Sequence, residues 1–189
     1  QIDAATATCG DCPTGRYLVD TATSKEEHDA QTDCAFCEVG KEFTSKTTAC
    51  LMCLAGKYQE QDTQPSATCK TCSTGQYAST PGSVACVDCP KGKANADTAS
   101  TSDAVCIDCL AGTHTNDQTG LDKCIDCPMG RFNEQEGSGK ALDCVACPTG
   151  QYQSDSGSVA CVDCPKGKAN AGTASTSDAV CIDCLAGTH

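Results

Sequence analysis

This sequence has very few of the large side chains from which a hydrophobic core is built. Its 189 residues include no tryptophan, three phenylalanines, four tyrosines and two methionines. A single domain of this length normally buries a sizeable core. Because the side chains for such a core are scarce here, covalent cross-links are expected to replace it. We therefore predict a string of small cross-linked units rather than one globular domain.

Positive charge is also scarce. The chain has 13 Lys and Arg against 25 Asp and Glu, a formal net charge of −12. Nucleic-acid binding rests on neutralising phosphates with Lys and Arg, so this balance argues against a nucleic-acid partner. It equally disfavours anionic membrane surfaces. No apolar run approaches the length of a membrane span, so we expect no direct membrane insertion by this segment.

Cysteine, by contrast, is abundant: the chain has 20, and all of them fall in ten Cys-x-x-Cys pairs. This density in a chain poor in large apolar residues is typical of a disulfide scaffold. Disulfides persist in oxidising compartments, so we expect an extracellular or cell-surface protein. Gln1 is then either a mature end after cleavage or the start of a fragment. The pairs begin at Cys9, Cys34, Cys50, Cys69, Cys86, Cys106, Cys124, Cys144, Cys161 and Cys181.

The pairs repeat at two levels. A module runs from one pair to the next, and in all ten modules a glycine follows the second cysteine by three residues. In addition, residues 82–114 return as residues 157–189 with one change, Asp97 to Gly172. This second period spans four modules and defines a superrepeat. The predicted divisions are degenerate N-terminal modules (1–68), a four-module superrepeat (69–143) and the truncated start of a second superrepeat (144–189).

The spacing within each pair predicts how the cysteines bond. In an extended segment, positions i and i+3 face opposite sides, so the two cysteines of one pair suit different partners. The simplest solution is a ladder that joins the second cysteine of each pair to the first cysteine of the next, although spacing alone leaves other connectivities open. The ladder leaves Cys9 and Cys184 unpaired within this sequence. The predicted bridges are Cys12–Cys34, Cys37–Cys50, Cys53–Cys69, Cys72–Cys86, Cys89–Cys106, Cys109–Cys124, Cys127–Cys144, Cys147–Cys161 and Cys164–Cys181.

The expected fold is an elongated rod of small disulfide-rich repeats with short β-hairpins and little helix. Each bridge closes a loop of roughly fifteen residues and is worth about 3 kcal/mol in the chain-entropy model. Each module is expected to touch only its neighbours. An aromatic residue follows the module glycine by two positions in five modules and is expected to lie over a disulfide as a miniature core. These aromatic residues are Tyr17, Tyr58, Tyr77, Phe132 and Tyr152.

Repeated Cys-x-x-Cys pairs are also a zinc-site signature, and zinc is the main alternative. The acidic composition and the Ser/Thr/Gly/Ala-rich loops favour disulfides instead. His114 and His189 occupy the aromatic position of their modules, where we expect ring packing rather than metal binding. Because the sequence contains no nucleophile–base constellation and no phosphate loop, we predict no enzymatic activity, no bound metal and no cofactor.

Two polar runs are candidates for O-glycosylation, which would make glycans a further partner. Plain polar loops are the alternative, and composition does not decide between the two. The candidate positions are Thr98, Ser100, Thr101, Ser102, Thr173, Ser175, Thr176 and Ser177.

Two phrases carry a resemblance to a known family: C-P-T-G-Q-Y from Cys147 to Tyr152, and G-S-V-A-C-V-D-C-P-K-G from Gly157 to Gly167. They resemble the ephrin-receptor-like, GCC-type cysteine-rich repeats and are similar to the first half of a TNF-receptor module. The resemblance implies a disulfide ladder with short hairpins. The additional cysteines of a TNF-receptor module are absent, so cytokine binding is not implied. More loosely, the Ala/Thr/Ser-rich loops resemble the surface immobilisation antigens of ciliates.

These features together favour a non-enzymatic extracellular structural protein. We expect it to self-associate, as a homo-oligomer or filament, into a surface coat, a fibre or a flagellar or ciliary appendage. Near-identical repeats favour this function because a lattice benefits when every subunit presents the same face. The alternative is a receptor or adhesion ectodomain that binds a protein ligand. Its ligand site would be expected in the long loop between Pro13 and Asp33, which differs from the others.

Overall fold

The computed structural model describes residues 12–19, 34–61 and 65–184. Within these ranges the regular structure consists of two-residue β-strands and single-turn 3-10 helices, with no α-helix. No helix in this part of the chain is long and apolar enough to cross a membrane. The 3-10 helices are Asp103–Val105, Ala141–Asp143 and Asp178–Val180.

The strands of the described ranges pair consecutively into nine antiparallel hairpins, each with two strands. In chain order they are β1 Tyr17–Leu18 with β2 Cys34–Ala35, β3 Lys41–Glu42 with β4 Leu51–Met52, β5 Lys57–Tyr58 with β6 Lys70–Thr71, β7 Gln76–Tyr77 with β8 Val87–Asp88, β9 Lys93–Ala94 with β10 Ile107–Asp108, β11 Thr113–His114 with β12 Ile125–Asp126, β13 Arg131–Phe132 with β14 Val145–Ala146, β15 Gln151–Tyr152 with β16 Val162–Asp163, and β17 Lys168–Ala169 with β18 Ile182–Asp183.

Each hairpin begins at a module glycine and ends at the next cysteine pair. In β5–β6, Gly56 has a positive φ of 82° and the Lys57 N–H donates to the Leu54 carbonyl at 3.1 Å, which turns the chain into β5. The second strand consists of the two residues between the cysteines of the next pair. In this register Tyr58 lies opposite Lys70. The local motif therefore accounts for the hairpin: the glycine supplies the turn, and the cysteine pair supplies the second strand.

Nine disulfides join the second cysteine of each pair to the first cysteine of the next. Their Cα–Cα distances lie between 5.5 and 5.8 Å, within the usual range for disulfides. Tandem disulfides, two-stranded hairpins and little helix are the fold class that the sequence predicts, and that class is confirmed. Cys184 is exposed and carries a free thiol, whereas Cys9 lies outside the described residues.

Contacts divide the chain into two units. The first unit comprises Gln1–Ser73, Tyr77–Val87 and Thr98–Ser102 and contains the four bridges from Cys12–Cys34 to Cys72–Cys86. The second unit comprises Thr74–Gln76, Asp88–Asp97 and Asp103–His189 and contains the five bridges from Cys89–Cys106 to Cys164–Cys181. The predicted segments 1–68, 69–143 and 144–189 describe repetition in the sequence and stay a prediction.

The buried side chains of both units are mainly cystine sulfurs and small or polar groups. No Val, Leu, Ile, Met or Phe of the described ranges is buried. The five aromatic residues that were expected to form miniature cores are half-buried. The buried position is instead the residue that directly follows the first strand of a hairpin, three positions after the module glycine. It is held by Gln59, Ala78, Asn95, Thr115, Asn133, Gln153 and Asn170.

Candidate interaction surface

The glycine of a module is covered by a loop from two modules further along the chain. In the second unit an ideal Cβ on Gly92 would overlap the carbonyl oxygen of Gly137, and a Cβ on Gly112 would overlap that of Gly157. In the first unit, Ala99 covers Gly56 in the same way. The expectation that each module touches only its neighbours is therefore wrong, because the backbone at these glycines has room for a loop from the module after next.

Hydrogen bonds fasten each covering loop to the disulfide core. The Gly137 N–H donates to the Cys109 carbonyl at 2.7 Å, and the Gly157 N–H donates to the Cys127 carbonyl at 2.8 Å. The residue that covers a glycine, as Gly137 covers Gly92, thus places its carbonyl against one module and donates its N–H to a cysteine carbonyl of the following module. Three successive modules are therefore joined at each such loop.

Buried amides complete the polar core. The Asn133 Nδ2 donates to the Thr113 carbonyl at 3.2 Å and to the Ser138 Oγ at 2.7 Å, and its Oδ1 accepts from the Gln135 N–H at 3.0 Å. Both polar atoms of this buried side chain therefore have partners, as a buried amide requires. Asn95 and Asn170 make equivalent bonds in their modules. Sequence reasoning missed this position, although an amide or hydroxyl residue three positions after the glycine recurs in six modules.

The exposed surface of the hairpins carries aliphatic side chains. The residue after the first cysteine of a pair lies opposite the residue at the aromatic position: Val145 opposite Phe132, and Ile107 opposite Ala94. We call the seven aliphatic residues at this position the hairpin-face residues, and they are between 40% and 69% exposed. They are Leu51, Val87, Ile107, Ile125, Val145, Val162 and Ile182.

Two hairpins of the second unit also carry cavities at this position. One cavity, of about 390 Å³, lies over β9–β10 and includes Ala94 and Ile107 in its lining. The other, of about 420 Å³, lies over β13–β14 and includes Phe132 and Val145. Volumes of this size lie within the range of small-ligand sites. The lining of each cavity contains both apolar side chains and carboxylates, so a ligand could make hydrophobic and ionic contacts in either.

The aspartates of the repeated Cys-x-Asp-Cys motif are exposed partners across the strands. Asp108 lies 2.8 Å from the Lys93 Nζ, and Asp88 accepts a hydrogen bond from the Gln76 Nε2 at 2.8 Å. Elsewhere, a hydrogen bond from Lys41 holds the pKa of Glu38 below its usual value. Within the described ranges, no three His, Cys, Asp or Glu side chains come together in a group that could hold a metal ion. A disulfide sulfur cannot act as a thiolate ligand, so the bonded pairs do not form zinc sites.

His114 has a structural position. Its side chain is 5% exposed, and its Nδ1 accepts a hydrogen bond from the Asn116 N–H at 3.0 Å. This bond engages the nitrogen within the loop, where the ring packs as expected from its place in the module. His189 lies outside the described residues.

The candidate O-glycosylation positions differ in accessibility. Ser100 is 6% exposed and buried, and the Ser175 Oγ accepts a hydrogen bond from the Asn170 Nδ2 at 2.7 Å. Burial makes Ser100 inaccessible to a glycan in this fold, whereas Ser175 is half-buried and its modification stays a prediction. Ser102 and Ser177 are half-buried. The exposed positions are Thr98, Thr101, Thr173 and Thr176, where modification stays a prediction.

Comparison with known families gives one match. The model of the tyrosine-protein kinase ephrin type A/B receptor-like family matches residues 102–144 and 139–181. No curated protein matches the chain with significant similarity. The matched stretch covers residues 102–181, and together with the nine disulfides it indicates an extracellular, disulfide-rich module. The resemblance to ciliate surface antigens stays a prediction.

Proposed function

We propose that this chain is a structural extracellular protein that self-associates through its hairpins into a coat, a fibre or a flagellar or ciliary appendage. The observation that carries the proposal is the repeated exposure of an aliphatic side chain at one hairpin position. Scattered exposed aliphatic residues need no explanation, but exposure at the same position of the repeat favours a contact surface. The function needs no catalytic group, metal or cofactor.

The superrepeat supports repeated contacts of one kind. Ile107 and Ile182 occupy the same position in the two copies of the 33-residue stretch and are 63% and 69% exposed. Each hairpin of the pair therefore offers a partner the same side chain in the same register. When such a patch meets a complementary patch elsewhere on a second molecule, the contact need not close, and open fibres or lattices result.

Sedimentation velocity and electron microscopy of the disulfide-intact chain test the proposal. We expect assemblies that grow with concentration. Ile107→Lys combined with Ile125→Lys and Val145→Lys should shift the chain to monomers, because each change places a charge in the contact. The control is Leu54→Lys, since Leu54 is 70% exposed but lies in the turn before β5 rather than on a strand. Dispersed monomers at high concentration would contradict self-association.

A receptor or adhesion ectodomain is the second candidate, favoured by the receptor-like family match. The loop expected to bind the ligand lies largely outside the described residues. Hydrogen exchange distinguishes the two functions. Self-association should protect amides at most of the hairpins, whereas binding of a protein ligand should protect amides in one or two modules.

A further inference from the structure

The cavity over β9–β10 differs from a simple apolar hollow. Its apolar lining includes Ala94, Val105, Ile107 and Leu110, all in the second unit. Ile107 and Leu110 are 63% and 67% exposed. In β13–β14 the position of Ala94 holds Phe132, whose ring adds apolar surface beside Val145.

Carboxylates line the same cavity. They belong to Asp97, Asp108 and Asp122. The Lys93 Nζ lies 2.8 Å from the Asp108 Oδ1 and offsets the charge of that carboxylate. The lining thus combines aliphatic side chains with carboxylates, which suits a ligand with an aliphatic stem and a cationic end.

We infer that this cavity binds a lysine or arginine side chain from a basic segment of a partner protein. The aliphatic stem packs on Ala94, Ile107 and Leu110, and the cation lies among the three carboxylates. Long basic side chains characteristically lay their stems on apolar surface and keep the charge in a polar setting. A purely apolar ligand would leave the carboxylates unused, and anionic ligands are repelled.

The negative charge of the chain favours a basic occupant for this cavity. The chain carries a formal net charge of −12, so a cationic segment is attracted to it at long range. A basic partner is attracted to the same surface and gains from complementary charge. The site shares Ile107 with the surface proposed above for self-association, so peptide binding is tested at concentrations where the chain is monomeric.

The chain contains its own comparison for the carboxylate contribution. Asp97 is the one residue that differs between the two copies, and Gly172 takes its place. The backbone turn is the same in both copies: the Asp97 N–H donates to the Asn95 Oδ1 at 3.0 Å, and the Gly172 N–H donates to the Asn170 Oδ1 at 2.9 Å. Asp97→Gly therefore removes the charge while keeping a turn that this protein already forms with glycine.

The test is a ligand-observed NMR titration of the disulfide-intact full chain at concentrations where it is monomeric. The probe is acetyl-Leu-Arg-Leu-amide, and the control peptide carries citrulline, which has nearly the same shape but no charge. We expect the arginine peptide to bind at least about threefold more tightly than the citrulline peptide, because each exposed charge pair contributes modestly. Equal binding of the two peptides, or no binding of either in the millimolar range, would overturn the inference.

Variants then locate the site. Asp97→Gly and Asp122→Asn should each weaken binding of the arginine peptide about two- to fivefold. Ile107→Ala should weaken it at least about threefold by removing part of the floor. The matched control is Ile182→Ala in the second copy, which should leave binding unchanged. Equal effects of Ile107→Ala and Ile182→Ala, or no effect of either aspartate substitution, would show that the cavity is not the binding site.

Discussion

The two copies of the 33-residue stretch have nearly the same sequence but different surroundings. In the first copy Gly92 is buried beneath the carbonyl of Gly137. In the second copy the equivalent Gly167 is exposed, and no atom of the described residues lies within 4 Å of its ideal Cβ position. The adjacent cysteine follows the same trend, since Cys89 is 0% exposed whereas Cys164 is half-buried.

The difference shows which properties belong to a module and which come from its neighbours. Gly92 and Gly167 have φ values of +80° and +83°, so the turn forms in both copies. Burial depends on a covering loop from two modules further along, and no described residue covers Gly167. Within the described residues, the two copies therefore form a pair in which one glycine is covered and the other is not.

Removing the equivalent disulfide from each copy should give the largest effects. Cys89→Ala with Cys106→Ala, and Cys164→Ala with Cys181→Ala, should each cost about 3 kcal/mol of local stability from lost loop closure. The first pair should cost more, because Cys89 is fully buried and its removal leaves a void beneath the covering loop. Native-state hydrogen exchange measures both losses, and equal losses would mean that the covering loop adds nothing.

Substituting the module glycines isolates the covering loop itself. Gly167→Ala should cost about 1 to 2 kcal/mol, because alanine is strained at a positive φ. Gly92→Ala should cost about 1 to 3 kcal/mol more, because its Cβ would overlap the Gly137 backbone and displace the loop. Chemical denaturation followed by circular dichroism measures both variants. Equal losses of stability from Gly92→Ala and Gly167→Ala would show that the covering loop over Gly92 does not add to the cost of the substitution.

The buried asparagines should show no difference between copies. Asn95 is 3% exposed and Asn170 is 6% exposed, and both side-chain amides are hydrogen-bonded. Asn95→Ala and Asn170→Ala should therefore each cost about 1 to 2 kcal/mol, measured by the same denaturation experiment. A much larger loss of stability from Asn95→Ala would show that the covering loop strengthens the contribution of the buried asparagine.

Glycine at the covering residues should give the smallest effect, and with the opposite sign. Ala99 and Ala174 have φ values of +56° and +54°, which strain alanine but not glycine. Ala99→Gly and Ala174→Gly should each raise stability by about 0.5 kcal/mol, the relief of strain being partly offset by the chain entropy of glycine. Thermal melts compare them, and a loss of stability in either variant would show that its methyl group makes a favourable contact.

Disulfide pairing and hairpin formation were accessible from the sequence because both depend on short spacings. The cysteine pair places its two sulfurs on opposite sides of a two-residue strand, and the observed bridges have the ladder connectivity. The core position was not predicted correctly. The sequence motif favours the aromatic residue as the core side chain, but side chains alternate along an extended segment. The buried side chain belongs to the residue directly after the strand, such as Asn133 after Phe132.

The sequence by itself therefore determined the repeat, the cross-linked hairpins and the acidic, cysteine-rich character of an extracellular module, since each is set by composition or by spacing within one module. Tertiary structure alone decided which glycines are buried, which loops cover them and where the Ala94 cavity opens. The burial of the glycines arises when residues from modules that are not adjacent in sequence come together, as Gly137 does over Gly92, whereas the Ala94 cavity is lined by consecutive modules. Local spacing does not specify such contacts, because they depend on how successive modules stack.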